Sequence, residues 1–441
     1  MEYTREYAQQ LKENKKYEES LLVYNYLWDN RIKDWDKWLG WEFAVVLRKH
    51  GEIDKAIKVA KETYKKDKSF VYNTNILCWC LYEKYIKNYL NDDGKDFNQF
   101  INIANFIVLN TSQNGKLTAY ETTIFKVLKV LYKSKNLKYS QIIEWLEKIE
   151  LEKLSNDTIE YNLNDGKKRE GASRKEQYLS LKSKALINTN QFEECIKTCN
   201  TAFQSIEKLH YRNELWFELR KEMCICKIGN SEEISLAINR MKNLLSFHSH
   251  WAIYLRIYEA YIMNNEIDKS LIYAYKALVL SEPIEKKVNL LQNIGEVLRE
   301  ENCSNYIKYF NLVYMIRKKE QWNISSELLE SIDSKCIDEG IKKFNDRYIY
   351  VLHKELINEW IVYIKSHCET KEGKISKMLL PKKQSGFIEC GKDSYYFSAK
   401  NIIYGYRNLR LGTKVYFSLS DKFNQKQGRK EQIAVDLILE R

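Results

Sequence analysis

"NKKYEESLLVY" (14–24), "HGEIDKAIKVA" (50–60), "TNQFEECIKTC" (189–199), "GNSEEISLAIN" (229–239) and "NNEIDKSLIYA" (264–274) are five versions of one local pattern. Each opens with turn-forming residues, continues with an apolar or aromatic residue, and carries a small residue three positions later: Tyr17/Ser20, Ile53/Ala56, Phe192/Cys195, Ile234/Ala237 and Ile267/Ser270. Positions three apart share a helix face, so the small residue marks a line where a second helix comes close. In the first three copies another small residue, Ala8, Ala44 or Ser183, stands twelve positions earlier. That spacing predicts antiparallel helix pairs closed by a tight turn. Weaker copies lie at Phe97/Phe100, Tyr139/Ile142 and Trp322/Ser325.

The anchors at 20, 56, 100, 142, 195, 237, 270 and 325 are 33 to 55 residues apart. This resembles a degenerate tetratricopeptide-repeat array, whose period is about 34 residues. The resemblance spans roughly residues 1–365, with "SEP" (281–283) the nearest approach to that family's terminal proline. The expected fold class is mainly α, a helical-hairpin solenoid, followed by a small C-terminal five-stranded β-barrel. Each hairpin buries its apolar face only against its neighbours, which leaves a continuous surface for a protein partner. Two stretches break the pattern. "NYLNDDGKDFNQF" (88–100) reads as a turn-rich insertion, and "SNDTIEYNLNDGKKREGASRKEQ" (155–177) as a polar loop made basic by Lys167, Lys168, Arg169, Arg174 and Lys175. Such a loop is either a solvated surface or a phosphate contact.

Composition agrees with a helical protein. Among 441 residues, 44% are apolar and 13% aromatic, enough for a real core, while only Pro283 and Pro381 interrupt helices by lacking an N–H. No run of apolar residues reaches the length of a membrane span and the first twenty residues are charged throughout, so a cytoplasmic location is expected. Cys78/Cys80 and Cys224/Cys226 are two apart, which on a helix points the thiols to different sides. Cys195 and Cys199 share a face but have no neighbouring histidine, so buried structural thiols are expected and no metal or cofactor.

The end of the chain has a different character. Residues 371–441 hold 15 of the 72 lysines and arginines against only 7 of the 60 acids, and six of the 15 glycines. A boundary is expected near 367–371, giving a helical domain over 1–366 and a second domain over 371–441. Alternation predicts strands at 373–380, 385–390, 394–398, 413–420 and 431–439, with a long third-to-fourth connection. "GKISKMLLPKKQSGFI" (373–388), "DSYYFSAKNI" (393–402), "LRLGTKVYFSL" (409–419) and "EQIAVDLIL" (431–439) resemble a cold-shock domain, a barrel of the oligonucleotide-binding type.

That resemblance implies single-stranded RNA or DNA, probed through rings on which bases stack and lysines that neutralise phosphates. Carried over by position, Phe387 matches the second aromatic of the first ribonucleoprotein-type motif and Tyr395 the first aromatic of the second. Phe397 falls where histidine is common, and Lys383 where a lysine leads the motif. Ser385 stands where a stacking phenylalanine is usual, and the first strand offers Lys377 and Met378 rather than an aromatic pair. Lys377 and Lys382 add charge, and Tyr404, Tyr406 and Arg407 in the long connection supply further contact surface.

No phosphate-loop, dinucleotide, zinc-protease or nucleophile-elbow motif occurs, and "NDDGK" (91–95) lacks the later ligands of a calcium loop. His248 and His250 lack a third ligand. The chain therefore reads as a non-enzymatic adaptor that holds single-stranded nucleic acid, RNA in particular, on its barrel and a protein partner on its helices. The competing reading is a protein-interaction scaffold whose barrel binds no nucleic acid.

Overall fold

A computed structural model of the chain describes residues 3–30, 35–89, 96–113, 118–134, 137–162, 166–245, 250–332, 346–379, 384–424 and 429–440. It contains helical hairpins followed by a closed five-stranded barrel. The chain divides into two compact units, Met1–Asn213 and Glu214–Arg441.

In the first unit α1 (Arg5–Glu13) pairs with α2 (Tyr17–Asn30) and α3 (Lys37–His50) with α4 (Ile53–Lys66). Then come α5 (Val71–Leu81) with a π-helical turn at Tyr82–Ile86, α6 (Phe97–Asn110), α7 (Ala119–Lys133) and α8 (Tyr139–Leu146). A hairpin of β1 (Ile159–Asn162) and β2 (Lys168–Gly171) precedes α9 (Arg174–Asn188) and α10 (Phe192–Ser205). The second unit has α11 (Asn213–Ile228, beginning on the last residue of the first unit), α12 (Ser231–Leu245), α13 (Trp251–Met263), α14 (Ile267–Val279), α15 (Val288–Glu300) and α16 (Tyr306–Lys319). The short α17 (Ser326–Glu330) and long α18 (Asp346–His367) lead into the barrel.

Four hairpin turns repeat one geometry. Lys15, Gly51, Asn190 and Asn265 have φ of 56°, 94°, 58° and 57°, each two residues before the next helix. The following amide reaches back to the carbonyl five residues earlier: Lys16 to Leu11, Glu52 to Leu47, Gln191 to Leu186 and Glu266 to Tyr261, at 2.9–3.0 Å. This left-handed cap satisfies carbonyls that a helix end leaves orphaned. The small residues lie at the crossings. Ser20 Oγ donates to the Ala8 carbonyl at 2.9 Å, Cys195 Sγ donates to the Ser183 carbonyl at 3.2 Å, and Ala44 and Ala56 are fully buried. At Trp322 the pattern gives no helix start: Ser325 instead caps α17, accepting from Leu328 N at 3.3 Å, and Trp322 is exposed.

The 155–177 segment is more ordered than its polarity suggested. Ile159 pairs with Gly171 and Asn162 with Lys168 in β1–β2, and Ser173 caps α9 by accepting from Glu176 N. Strands this short and polar carry no apolar alternation by which a sequence could announce them. In the 88–100 stretch, residues 90–95 with "NDDGK" lie outside the described residues, as does His248; α6 begins at Phe97 with Asp96 as its cap.

The barrel is built from β3 (Lys371–Met378), β4 (Ser385–Cys390), β5 (Asp393–Ser398), β7 (Lys414–Asn424) and β8 (Arg429–Leu439), with the short β6 (Ile402–Tyr404) in the long connection. Strands run in the order β5–β4–β3–β7–β8, and parallel pairing of β5 with β8 closes the ring. Ile375, Ile388, Phe397, Val415, Phe417, Ala434 and Leu437 fill it. At β8 a bulge sets Asp436 and Leu437 against Phe417 alone, and Asp436 takes φ of 52°. Aspartate tolerates this left-handed conformation better than most residues.

Candidate nucleic-acid interface

The two-residue turn at Gly391 and Lys392 fixes the register of β4 against β5, with Cys390 opposite Asp393 and therefore Phe387 opposite Tyr396. Side chains alternate, so these two share one face while their neighbours point inward. The rings meet edge to face at 5.9 Å and 73°, and both are half-buried. On the adjacent strand Lys377 stands opposite Phe387 and is exposed, with Lys374 exposed one pair along, opposite Glu389. The outer face of β3–β4–β5 thus carries two rings flanked by two ammonium groups.

Gly386 permits this arrangement. A Cβ there would stand 2.1 Å from the Lys377 carbonyl oxygen and 2.9 Å from the Phe397 ring, so only glycine lets the strands close with that ring behind them. Phe397 is consequently fully buried in the barrel core. The expectation that it contacts nucleic acid is corrected: its strand position faces inward, into the barrel core. Tyr395 also lies on the inward side. Its ring packs on Phe417 at 5.7 Å, and its hydroxyl donates to Asp393 at 3.2 Å and accepts from Lys371 at 3.3 Å. Tyr395 thus plugs the barrel's rim, on the opposite side of the sheet from Phe387.

The long connection turns toward the helices. Ile403 and Ile438 are buried in the core of the second unit, and the half-buried Tyr404 and Tyr416 pack against it. Tyr406, 54% exposed, and the exposed Arg407 line a cleft of about 920 Å³ shared with Lys354 and Lys365 of α18. Lys365 itself is bonded to Glu440 at 2.6 Å and sits 3.6 Å above the Tyr416 ring. Lys382 and Lys383 lie outside the described residues. Of the nine expected residues, the structure therefore brings Lys377 and Phe387 together and places Tyr404, Tyr406 and Arg407 on a separate cleft. Tyr396 and Lys374, which were not in the expected set, share the face of Phe387. Reading "CGKD" as a two-residue hairpin turn would have set the register and found Tyr396.

No family model matches the chain, and no curated protein matches it. Similar solved structures include a human IFIT1 dimer with m7Gppp-AAAA, at 12% identity over 82% of this chain and 80% of that chain, with a TM-score of 0.36. Yeast Tom70 matches at 12% identity over 82% of this chain and 79% of its own, with a TM-score of 0.23. The TPR2AB-domain:pHSP90 complex of yeast Sti1 matches at 12% identity over 70% and 94%, with a TM-score of 0.21. These are helical solenoids of the tetratricopeptide type. Likeness this distant says nothing about what the present chain binds.

Proposed function

We propose that the chain is a non-enzymatic binding protein that holds single-stranded nucleic acid on the outer face of β3–β4–β5, in a barrel of the oligonucleotide-binding type. The observation that carries this is the half-buried Phe387–Tyr396 pair, flanked by the exposed Lys374 and Lys377. Two rings at that spacing offer stacking surface to adjacent bases, worth about 1 to 3 kcal/mol each and tolerant of sequence. The lysines neutralise phosphates and make binding salt-dependent. The barrel order, in which the third and fifth strands pair in parallel, agrees with that fold.

A protein partner on the helices is supported by an aromatic patch in the first unit. Trp38 and Trp41 lie 5.6 and 5.5 Å from the ring of Tyr72, which is exposed together with Val71. Exposed apolar clusters of this kind mark docking surfaces.

The test is titration of the intact chain with a labelled single strand and the matching duplex at about 150 mM salt. Preference for the single strand, lost in Phe387→Ala, supports the proposal. Equal affinity for duplex, or none even at low salt, leaves the barrel as part of a protein scaffold.

A further inference from the structure

A basic concavity lies elsewhere, in the first unit. A pocket of about 700 Å³ opens between α7, α9 and the β1–β2 hairpin, and among the described residues none that line it is acidic. On α7, Lys126, Lys129 and Lys133 succeed one another at spacings of three and four, which puts three ammonium groups on one helical face.

Arg174 contributes the fourth cation from the facing helix. It is the first residue of α9, where the macrodipole already presents positive charge. Its guanidinium lies over the Phe125 ring at 4.5 Å and donates to Gln177 at 3.2 Å. Among the described residues no carboxylate forms an ion pair with it; Glu121, whose charge acts on it, accepts a hydrogen bond from Gln113. Burial pushes the Arg174 pKa down, and the charge of Glu121 only partly offsets this.

The rim is strained. Tyr211 and Arg212 are consecutive non-glycine residues with φ of 51° and 60°. Such conformations persist only where the surroundings over-determine them, and they cluster at functional sites. Here the buried Glu176 carboxylate fixes both flanks, accepting from His210 N at 2.7 Å and Asn213 Nδ2 at 2.8 Å. The result holds Tyr211 at the pocket, its hydroxyl 2.8 Å from that of Tyr161 on β1.

From this juxtaposition we infer that the pocket between α7, α9 and the β1–β2 hairpin binds the phosphate groups of a nucleotide-type ligand, either a free nucleoside phosphate or the 5′-phosphorylated end of a single strand. Its volume suits a ligand of that size. Guanidinium and ammonium groups meet phosphate oxygens in charge-assisted bonds, and the tyrosines face the base or sugar. The site is independent of the barrel face.

The experiment uses the full chain with three probes at about 50 mM salt: ATP, a short 5′-phosphorylated oligonucleotide and its 5′-hydroxyl counterpart. The inference expects ATP to bind, or the phosphorylated strand to bind more tightly than the hydroxyl one, and which of the two occurs identifies the source of the phosphate. Lys129→Glu with Lys133→Glu, both exposed and safe for folding, and separately Arg174→Gln, should each weaken that binding by about tenfold or more, the scale of one charge-assisted contact. Phe387→Ala should leave it intact, which separates this site from the barrel. Unchanged affinity in the charge-reversed variant overturns the inference. So does failure of ATP to bind together with equal affinity for the two strands.

Discussion

Lys276 Nζ on α14 lies 2.7 Å from Asp436 Oδ2 on β8, a bond between residues 160 apart in sequence that ties the barrel to the helices. The other carboxylate oxygen accepts from Tyr254 of α13 at 2.6 Å. Burial opposes the charge on Lys276, and the Asp436 carboxylate more than reverses that, holding the ammonium protonated. The bulge explains how a strand residue reaches outward: with φ of 52°, Asp436 leaves the alternation of β8 and faces the helices. Asp436→Asn keeps the left-handed conformation and a partner for Tyr254, yet leaves Lys276 as an uncompensated buried cation. Such a loss typically costs about 3 to 5 kcal/mol. Urea denaturation should show the variant destabilised on that scale, and an unchanged midpoint would mean that the pair does not secure the barrel.

The barrel face makes a prediction that separates neighbouring tyrosines. Tyr396→Ala and Phe387→Ala each remove an outward ring without changing charge, so each should weaken single-strand binding by about 1 to 3 kcal/mol with little change in salt slope. Tyr395→Phe removes only a rim hydroxyl on the inward side and should leave affinity alone. Lys374→Gln and Lys377→Gln should each flatten the slope of log affinity against log salt by roughly 0.7. If Tyr395→Phe proved the damaging change, the strand assignment of this face would be wrong.

How much of this was legible in the sequence differs between the two kinds of structure. The helix crossings were readable because they depend on local spacing: Ser20 is twelve residues from Ala8, and a tight turn leaves only one way for them to meet. The strands were also readable, with β4 and the start of β5 placed within a residue. The face of each strand was not, because a one-residue error in register exchanges inside for outside. Tyr395, Tyr396 and Phe397 are equally aromatic as letters, and only the pairing with β4 sorts them. Asp436 was beyond reach for another reason. Its partners Tyr254 and Lys276 are supplied by helices more than a hundred residues away, and no local pattern encodes that contact.

The crossings also predict how the array tolerates change. Ala44 and Ala56 are fully buried where α3 meets α4, so Ala44→Leu and Ala56→Leu each force three extra carbons into a closed contact. Overpacking of this kind costs about 1 to 3 kcal/mol. Each variant should lower the thermal midpoint, whereas Lys58→Leu, exposed on α4, should not. Equal melting of all three would contradict the crossing.

Lys287 supplies a test in pH. It is 1% exposed, and its ammonium donates to the carbonyls of Leu278 at 3.2 Å and Leu280 at 2.7 Å, where α14 ends. A cation suits a helix C-terminus, yet burial dominates and lowers its pKa from an ordinary 10.5 to about 8, with Glu282 pulling the other way. Between these two values the unfolded chain holds a proton that the folded chain has released. Stability then rises with pH, because the unfolded state binds more protons. The gain through the window amounts to roughly 3 kcal/mol at 1.36 kcal/mol per unit. Below about pH 8 the folded protein bears the cost of a buried charge; above it, the neutral amine can still donate to both carbonyls. Lys287→Met has nothing to titrate, so the difference in unfolding free energy between wild type and variant should grow in favour of wild type from pH 7.5 to pH 10. Other groups titrating in that range cancel in the difference. A difference that stays flat would show that Lys287 remains charged in the folded protein throughout, and that the carbonyls at the end of α14 compensate its burial fully.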